Sequence, residues 1–280
     1  MKNKINATIR FLKASIPIYD EILQVLETNG GWLNLQQEFI DKLSTTRIRW
    51  WELYKDEALF KKFITLSYFN EEQLKNIKEN YTPEQILSEI SELIENENTD
   101  ALTDEEIAEY QALFESASKD EQQELLKSGA LQLTAFLASF FNYLCIMVNG
   151  KNICRLVDDA LHGDINAYCK AVQIDRTILF LPEFQKMVFN AQFGKEEEFL
   201  TKLSYRLKNP IISSKIRYRT LWLTFAILDD LGLLELPHEQ LLDICEEVGV
   251  YGKPHGVEDV GHLTKRLNEF RKIHKNSKTF

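Results

Sequence analysis

Two groups of acidic residues stand three and four positions before a histidine. They are Asp158 and Asp159 before His162, and Glu258 and Asp259 before His262. Positions three and four residues apart share one face of a helix, so each group could form an acid–base pair or part of a metal site. A metal site needs three or four ligands, and neither motif supplies the others. Simple surface contacts between acid and histidine explain the same spacing.

The sequence lacks the short motifs that specify common reactions. It contains no GxSxG nucleophile motif, no glycine-rich phosphate-binding loop and no HExxH zinc motif. We therefore assign no catalytic residue and no metal ligand, and we expect no cofactor. An enzyme with dispersed histidine and carboxylate residues remains a third hypothesis for the function.

The four cysteines form no CxxC pair and lie among apolar residues: Cys145, Cys154, Cys169 and Cys245. This pattern predicts buried, free thiols in a reducing compartment. The first residues include lysines but no apolar stretch typical of a signal peptide. We expect a cytoplasmic protein.

A basic segment without acids lies between Glu198 and Asp229. Its candidate nucleic-acid-binding cations are Lys202, Arg206, Lys208, Lys215, Arg217 and Arg219, and the aromatic residues Tyr205, Tyr218 and Trp222 accompany them. Cations that contact phosphate and rings that stack on bases suit nucleic-acid binding. Alternatively, these cations pair with the acidic segment of the same chain, residues 71–130.

The C-terminal region repeats this basic character. Two helices are expected, over 237–248 and 257–274, and the second carries Lys265, Arg266, Arg271 and Lys272. Two helices with a basic second one suit insertion into a DNA major groove. The connecting loop is longer than that arrangement normally has. Cations near a helix C-terminus are also stabilised by the helix dipole, without any role in binding DNA.

A third candidate site consists of Arg47, Arg49, Trp50 and Trp51. Adjacent tryptophans point about 100° apart on a helix, so one can be buried while the other stays near the surface. An exposed tryptophan beside arginine would be a suitable hot spot for binding another protein. Packing of both rings in the core is the alternative.

The elements that must position these residues are helices. Six prolines and eleven glycines are few for 280 residues, and helix-capping patterns recur, such as Thr82 with Gln85. Apolar residues follow at helical spacing, and strict alternation is missing. The fold class is therefore all-α: a multi-helix bundle or irregular array of about a dozen helices. The first helix is expected to bend at Pro17.

An uncharged stretch of 23 residues, 128–150, is long enough to cross a bilayer. Polar residues are distributed through it, and no strongly basic flank would orient it. We predict a buried helix with Phe136, Phe140 and Leu144 inside, and no membrane partner.

The charge of −10 is concentrated in one part of the chain, since acids outnumber bases by 13 between residues 71 and 130. The organisation predicted from this pattern is an N-terminal helical region, 1–127, which contains the acidic segment 71–127. A C-terminal helical core domain, 128–280, would follow and end in the basic helix.

A weak internal repeat suggests helical-repeat character in the second half. Ala160 and Gly163 precede Tyr168, and Ala191 and Gly194 precede Phe199, with a displacement of 31 residues. A small residue, a glycine and an aromatic residue at these spacings would mark equivalent turns of two helical hairpins.

The leading functional hypothesis is a non-enzymatic interaction or adaptor protein. It would bind another protein through the Trp50–Trp51 region or the acidic segment. A nucleic-acid-associated regulatory protein is the alternative, and it would use segment 202–219 and helix 257–274.

Overall fold

The computed structural model describes residues 2–27, 37, 49–66, 82, 85, 129–209 and 218–275. Within these ranges the chain forms ten α-helices and three 3₁₀ helices. The described residues contain no strand, and their one extended pairing is an isolated bridge between Gly252 and Val257. The all-α prediction is confirmed.

The α-helices are α1 (Lys2–Glu27), α2 (Glu57–Leu66), α3 (Gly129–Asn149), α4 (Ile153–Leu161), α5 (Ile165–Ile174), α6 (Pro182–Gly194), α7 (Glu197–Lys208), α8 (Arg219–Asp230), α9 (His238–Val248) and α10 (Val260–Lys275). The 3₁₀ helices are η1 (Trp50–Lys55), η2 (Arg176–Phe180) and η3 (Lys253–His255). Pro17 lies inside α1, which continues through it as one helix.

The capping pattern at Thr82 and Gln85 forms as predicted. The Gln85 backbone N–H donates to Thr82 Oγ1 at 3.3 Å, and the Thr82 N–H donates to Gln85 Oε1 at 2.8 Å. This reciprocal arrangement is a capping box. The remainder of the acidic segment 71–127 lies outside the described residues.

Helix α3 is the central helix of the described fold. It contacts α1, α2, α4, α5, α8 and η1. Phe140, Phe141 and Leu144 are almost completely buried, whereas Phe136 is only partly buried. The described side chains of the uncharged stretch are thus buried on nearly all sides, with Phe136 less enclosed than predicted. In the ranges described, we find no helix with the length and apolar character needed to span a membrane.

Polar residues in and after α3 fix the turn into α4. Asn142 is buried within α3, and its Oδ1 accepts the backbone N–H of Ile153 at 3.0 Å. Asn152 caps α4 by accepting the N–H of Arg155 at 2.7 Å. These contacts satisfy N–H groups that have no partner within the helix at its first turn.

A buried carboxylate joins α5, η1 and η2. Asp175 is fully buried, and its Oδ2 accepts from Trp50 Nε1 at 2.7 Å and from the Tyr54 hydroxyl at 2.9 Å. Its Oδ1 accepts from the Thr177 N–H at 2.9 Å and from the Thr177 hydroxyl at 2.6 Å. Two of these four donors belong to η1 and two to Thr177, so the carboxylate holds η1 against the start of η2.

Two consecutive helical hairpins, α4–α5 and α6–α7, occupy the positions of the sequence repeat. Tyr168 and Phe199 pack edge to face with ring centroids 5.1 Å apart. Gly163 takes a positive φ of 97° in the first turn, but in the second turn Lys195, not Gly194, is left-handed. The two turns therefore differ at the residue that the sequence pattern made equivalent.

Helix α1 packs against the C-terminal part of the chain. Arg219 pairs with Asp20 at 2.7 Å, and Lys13 pairs with Glu247 at 3.1 Å. Apolar residues of α1 belong to the same core cluster as those of α3 and α8. The boundary predicted at residues 127 and 128 itself lies outside the described residues.

Candidate interaction surface

Helix α6 carries two strongly exposed phenylalanines. The side chains of Phe189 and Phe193 are 58% and 74% exposed, and Phe193 is the most exposed large hydrophobic residue within the described ranges. Their rings lie together, with centroids 4.5 Å apart and an angle of 40° between planes. The spacing of four residues places them on one face of the helix.

The two rings point away from the core. At about 100° per residue, Phe189 and Phe193 lie roughly 140–180° around the helix axis from Phe184. Phe184 and Ala191 are buried on the opposite side. The packing of α6 therefore does not explain why positions 189 and 193 are apolar, because Phe184 and Ala191 on the opposite side hold the helix in place.

Packing of α6 against its neighbours is extensive. The Phe184 ring stacks on Tyr168 with centroids 4.5 Å apart, and the Tyr168 hydroxyl donates to the Phe184 carbonyl at 3.2 Å. The helix also contacts η2 and α7. Phe189 and Phe193 are thus displayed on an anchored helix, which reduces the entropy lost when a partner binds.

Charged residues flank the pair on both sides. Lys186 is exposed and lies within about 60° of both rings around the helix axis. Lys195, Glu196 and Glu197 are exposed just beyond the C-terminus of α6. We call Lys186, Phe189 and Phe193 the α6 outer face.

The turn that ends α6 predicts a stabilising substitution. Lys195 adopts φ 56° and ψ 42°, a left-handed conformation that costs a residue with a Cβ about 1 kcal/mol more than glycine. We expect Lys195→Gly to raise the free energy of unfolding by about 0.5–1 kcal/mol, measured by urea denaturation. Lys186→Gly, inside the helix, should instead lower it by about 1 kcal/mol. A destabilised Lys195→Gly variant would contradict this backbone assignment.

The tryptophans of the predicted protein-binding site are in the core. Trp50 and Trp51 are 0% and 7% exposed, and Trp50 stacks on Phe141 with centroids 6.0 Å apart. Arg49 is exposed, and Arg47 lies outside the described residues. Neither indole is exposed as that hypothesis required, because η1 inserts both rings beneath α3 and η2.

The arginines of the predicted nucleic-acid sites are engaged within the fold. Arg206 Nη1 donates to Gln173 at 3.0 Å, and Arg219 pairs with Asp20. Arg266 lies 4.3 Å above the Tyr218 ring, and Arg271 pairs with Glu235 at 3.0 Å. The partners named here belong to several elements outside the acidic segment. Lys215 and Arg217 lie outside the described residues.

The lysines of those sites are more accessible. Lys202 pairs with Glu198 at 2.7 Å, which lowers the pKa of Glu198, whereas Lys208, Lys265 and Lys272 are exposed. The aromatic residues expected to stack on bases are split. Tyr205 is 62% exposed and Trp222 is buried. Within the described residues of these sites, the arginines and the exposed aromatic rings therefore do not form a common surface.

Substitutions of Arg266 and of its neighbour Lys265 distinguish an intramolecular role of Arg266 from phosphate binding. Arg266→Ala should lower the free energy of unfolding by about 1–2 kcal/mol, because it removes the cation–π contact with Tyr218. Lys265→Ala should change it by less than about 0.5 kcal/mol. Denaturant unfolding measures both. An unchanged stability for Arg266→Ala, with a log–log salt slope of nucleic-acid binding flatter by about one, would favour phosphate contact.

The acid–histidine groups form exposed local contacts. His162 Nδ1 lies 3.4 Å from Asp158 Oδ1, and His262 Nδ1 lies 3.4 Å from Asp259 Oδ2. No cluster of three metal-ligating side chains was found across the described ranges.

The four cysteines are free and buried. Burial raises the pKa of Cys145 and of Cys245 to about 12 and also raises that of Cys154 and Cys169. Their thiols are therefore neutral and poorly nucleophilic at physiological pH.

The sequence interpretation missed the α6 outer face. The available signal was the distribution of apolar residues around α6, since Phe184 and Ala191 fall on one side and Phe193 on the other. A helix with two apolar faces must either be enclosed or display one of them.

No family model, curated protein or solved structure matches this chain.

Proposed function

We propose that this protein is a non-enzymatic helical interaction protein that binds another protein through the α6 outer face. The observation that carries the proposal is the exposed, mutually packed pair Phe189 and Phe193 on the side of α6 opposite the core. This position replaces the Trp50–Trp51 region as the candidate binding site.

The energetics of apolar burial support a binding role. Removing apolar surface from water contributes about 25 cal/mol per Å², and aromatic residues are prominent among the hot spots of protein interfaces. Large rings that remain adjacent and exposed on a folded surface are a recurrent mark of an interaction site. Their shared helical face also fixes the relative position of the two rings.

We place this function in the cytoplasm. Four free, buried cysteines without a disulfide support a reducing compartment.

The test compares partner capture by three forms of the full chain from the native cell, each with and without nuclease. The binding variant is Phe189→Ser with Phe193→Ser. The matched control is Tyr205→Ser, because Tyr205 is also an exposed aromatic residue on the neighbouring helix. Thermal unfolding establishes that the variants are folded.

We expect the wild-type chain and the Tyr205 variant to retain the same protein after nuclease treatment, and the double variant to lose it. Equal retention by all three forms would overturn the proposed surface. Retention that disappears with nuclease in every form would support the nucleic-acid alternative.

A further inference from the structure

We draw no further inference here: the strongest candidate, the exposed pair Phe189 and Phe193 on the outer side of α6, belongs to the surface already described, and nothing in the described part of the chain shows what covers it.

Discussion

Replacing Asp175 by alanine is expected to lower the free energy of unfolding by about 3–5 kcal/mol. The substitution leaves the Trp50 indole N–H and the Tyr54 hydroxyl without the acceptor that both now share in the core. A buried donor deprived of its acceptor costs about 1–3 kcal/mol. Urea denaturation followed by circular dichroism measures the effect.

A double-mutant cycle shows whether the loss comes from this network. Tyr54→Phe alone should cost about 1 kcal/mol, but it should cost almost nothing when Asp175 is already alanine. Asp158→Ala, at an exposed position, should leave stability within about 0.5 kcal/mol of the wild type. Additive effects of the Tyr54 and Asp175 substitutions would show that the hydrogen bond does not couple them.

The same carboxylate predicts a dependence of stability on pH. Burial raises the pKa of Asp175 above its ordinary value of 3.8, although hydrogen bonds from Thr177, Trp50 and Tyr54 oppose this. The folded state therefore keeps the proton to a higher pH than the unfolded state. The stabilisation that arises from this difference in pKa is complete below the ordinary pKa and is lost as pH rises through the pKa of the folded state. The advantage of the wild type over Asp175→Asn should therefore grow as pH falls towards about 4.

Replacing Phe140 by alanine is expected to cost about 3–5 kcal/mol, the range for removing a fully packed aromatic ring. Phe140 is 1% exposed, with the Phe141 ring 5.4 Å and the Tyr19 ring 6.4 Å away. Rings from α1 and α3 surround it, so the space left behind cannot collapse easily. Urea denaturation of the purified variant measures the loss.

Phe193→Ala is the matched control, because it removes the same ring from a site that is 74% exposed. Its stability should stay within about 0.5 kcal/mol of the wild type. A cost for Phe193 comparable to that for Phe140 would mean that Phe193 is structural, and it would remove the basis for the α6 outer face.

The helical architecture could be predicted from sequence because its signals are local. The capping box at Thr82 and the proline that begins α6 depend on residues a few positions apart. The burial of residues 137–147 also followed from the uncharged composition of this stretch. The hydrogen bonds of Asp175 could not be predicted, because Trp50 and Tyr54 lie more than 120 residues away in sequence.

A candidate binding site must consist of exposed side chains, and residue type alone does not determine which side chains are exposed. Tryptophan and arginine favour interfaces, which predicts binding at Trp50 and Trp51, yet the fold encloses both rings. The charge of Arg266 predicts phosphate binding, yet its guanidinium group covers the Tyr218 ring. Phenylalanine is normally buried, so the residue type does not predict the exposure of Phe193, and the packing of Phe184 shows which side of α6 faces outward.

The most direct test of the α6 outer face is site-specific photocrosslinking in the native cell. A photoreactive phenylalanine analogue is placed at position 193 in one form of the chain and at position 205 in another, since both side chains are well exposed. We expect a discrete protein adduct from position 193, resistant to nuclease, and at most a trace from position 205. The same adducts in equal yield from both positions, or none from position 193, would contradict the account.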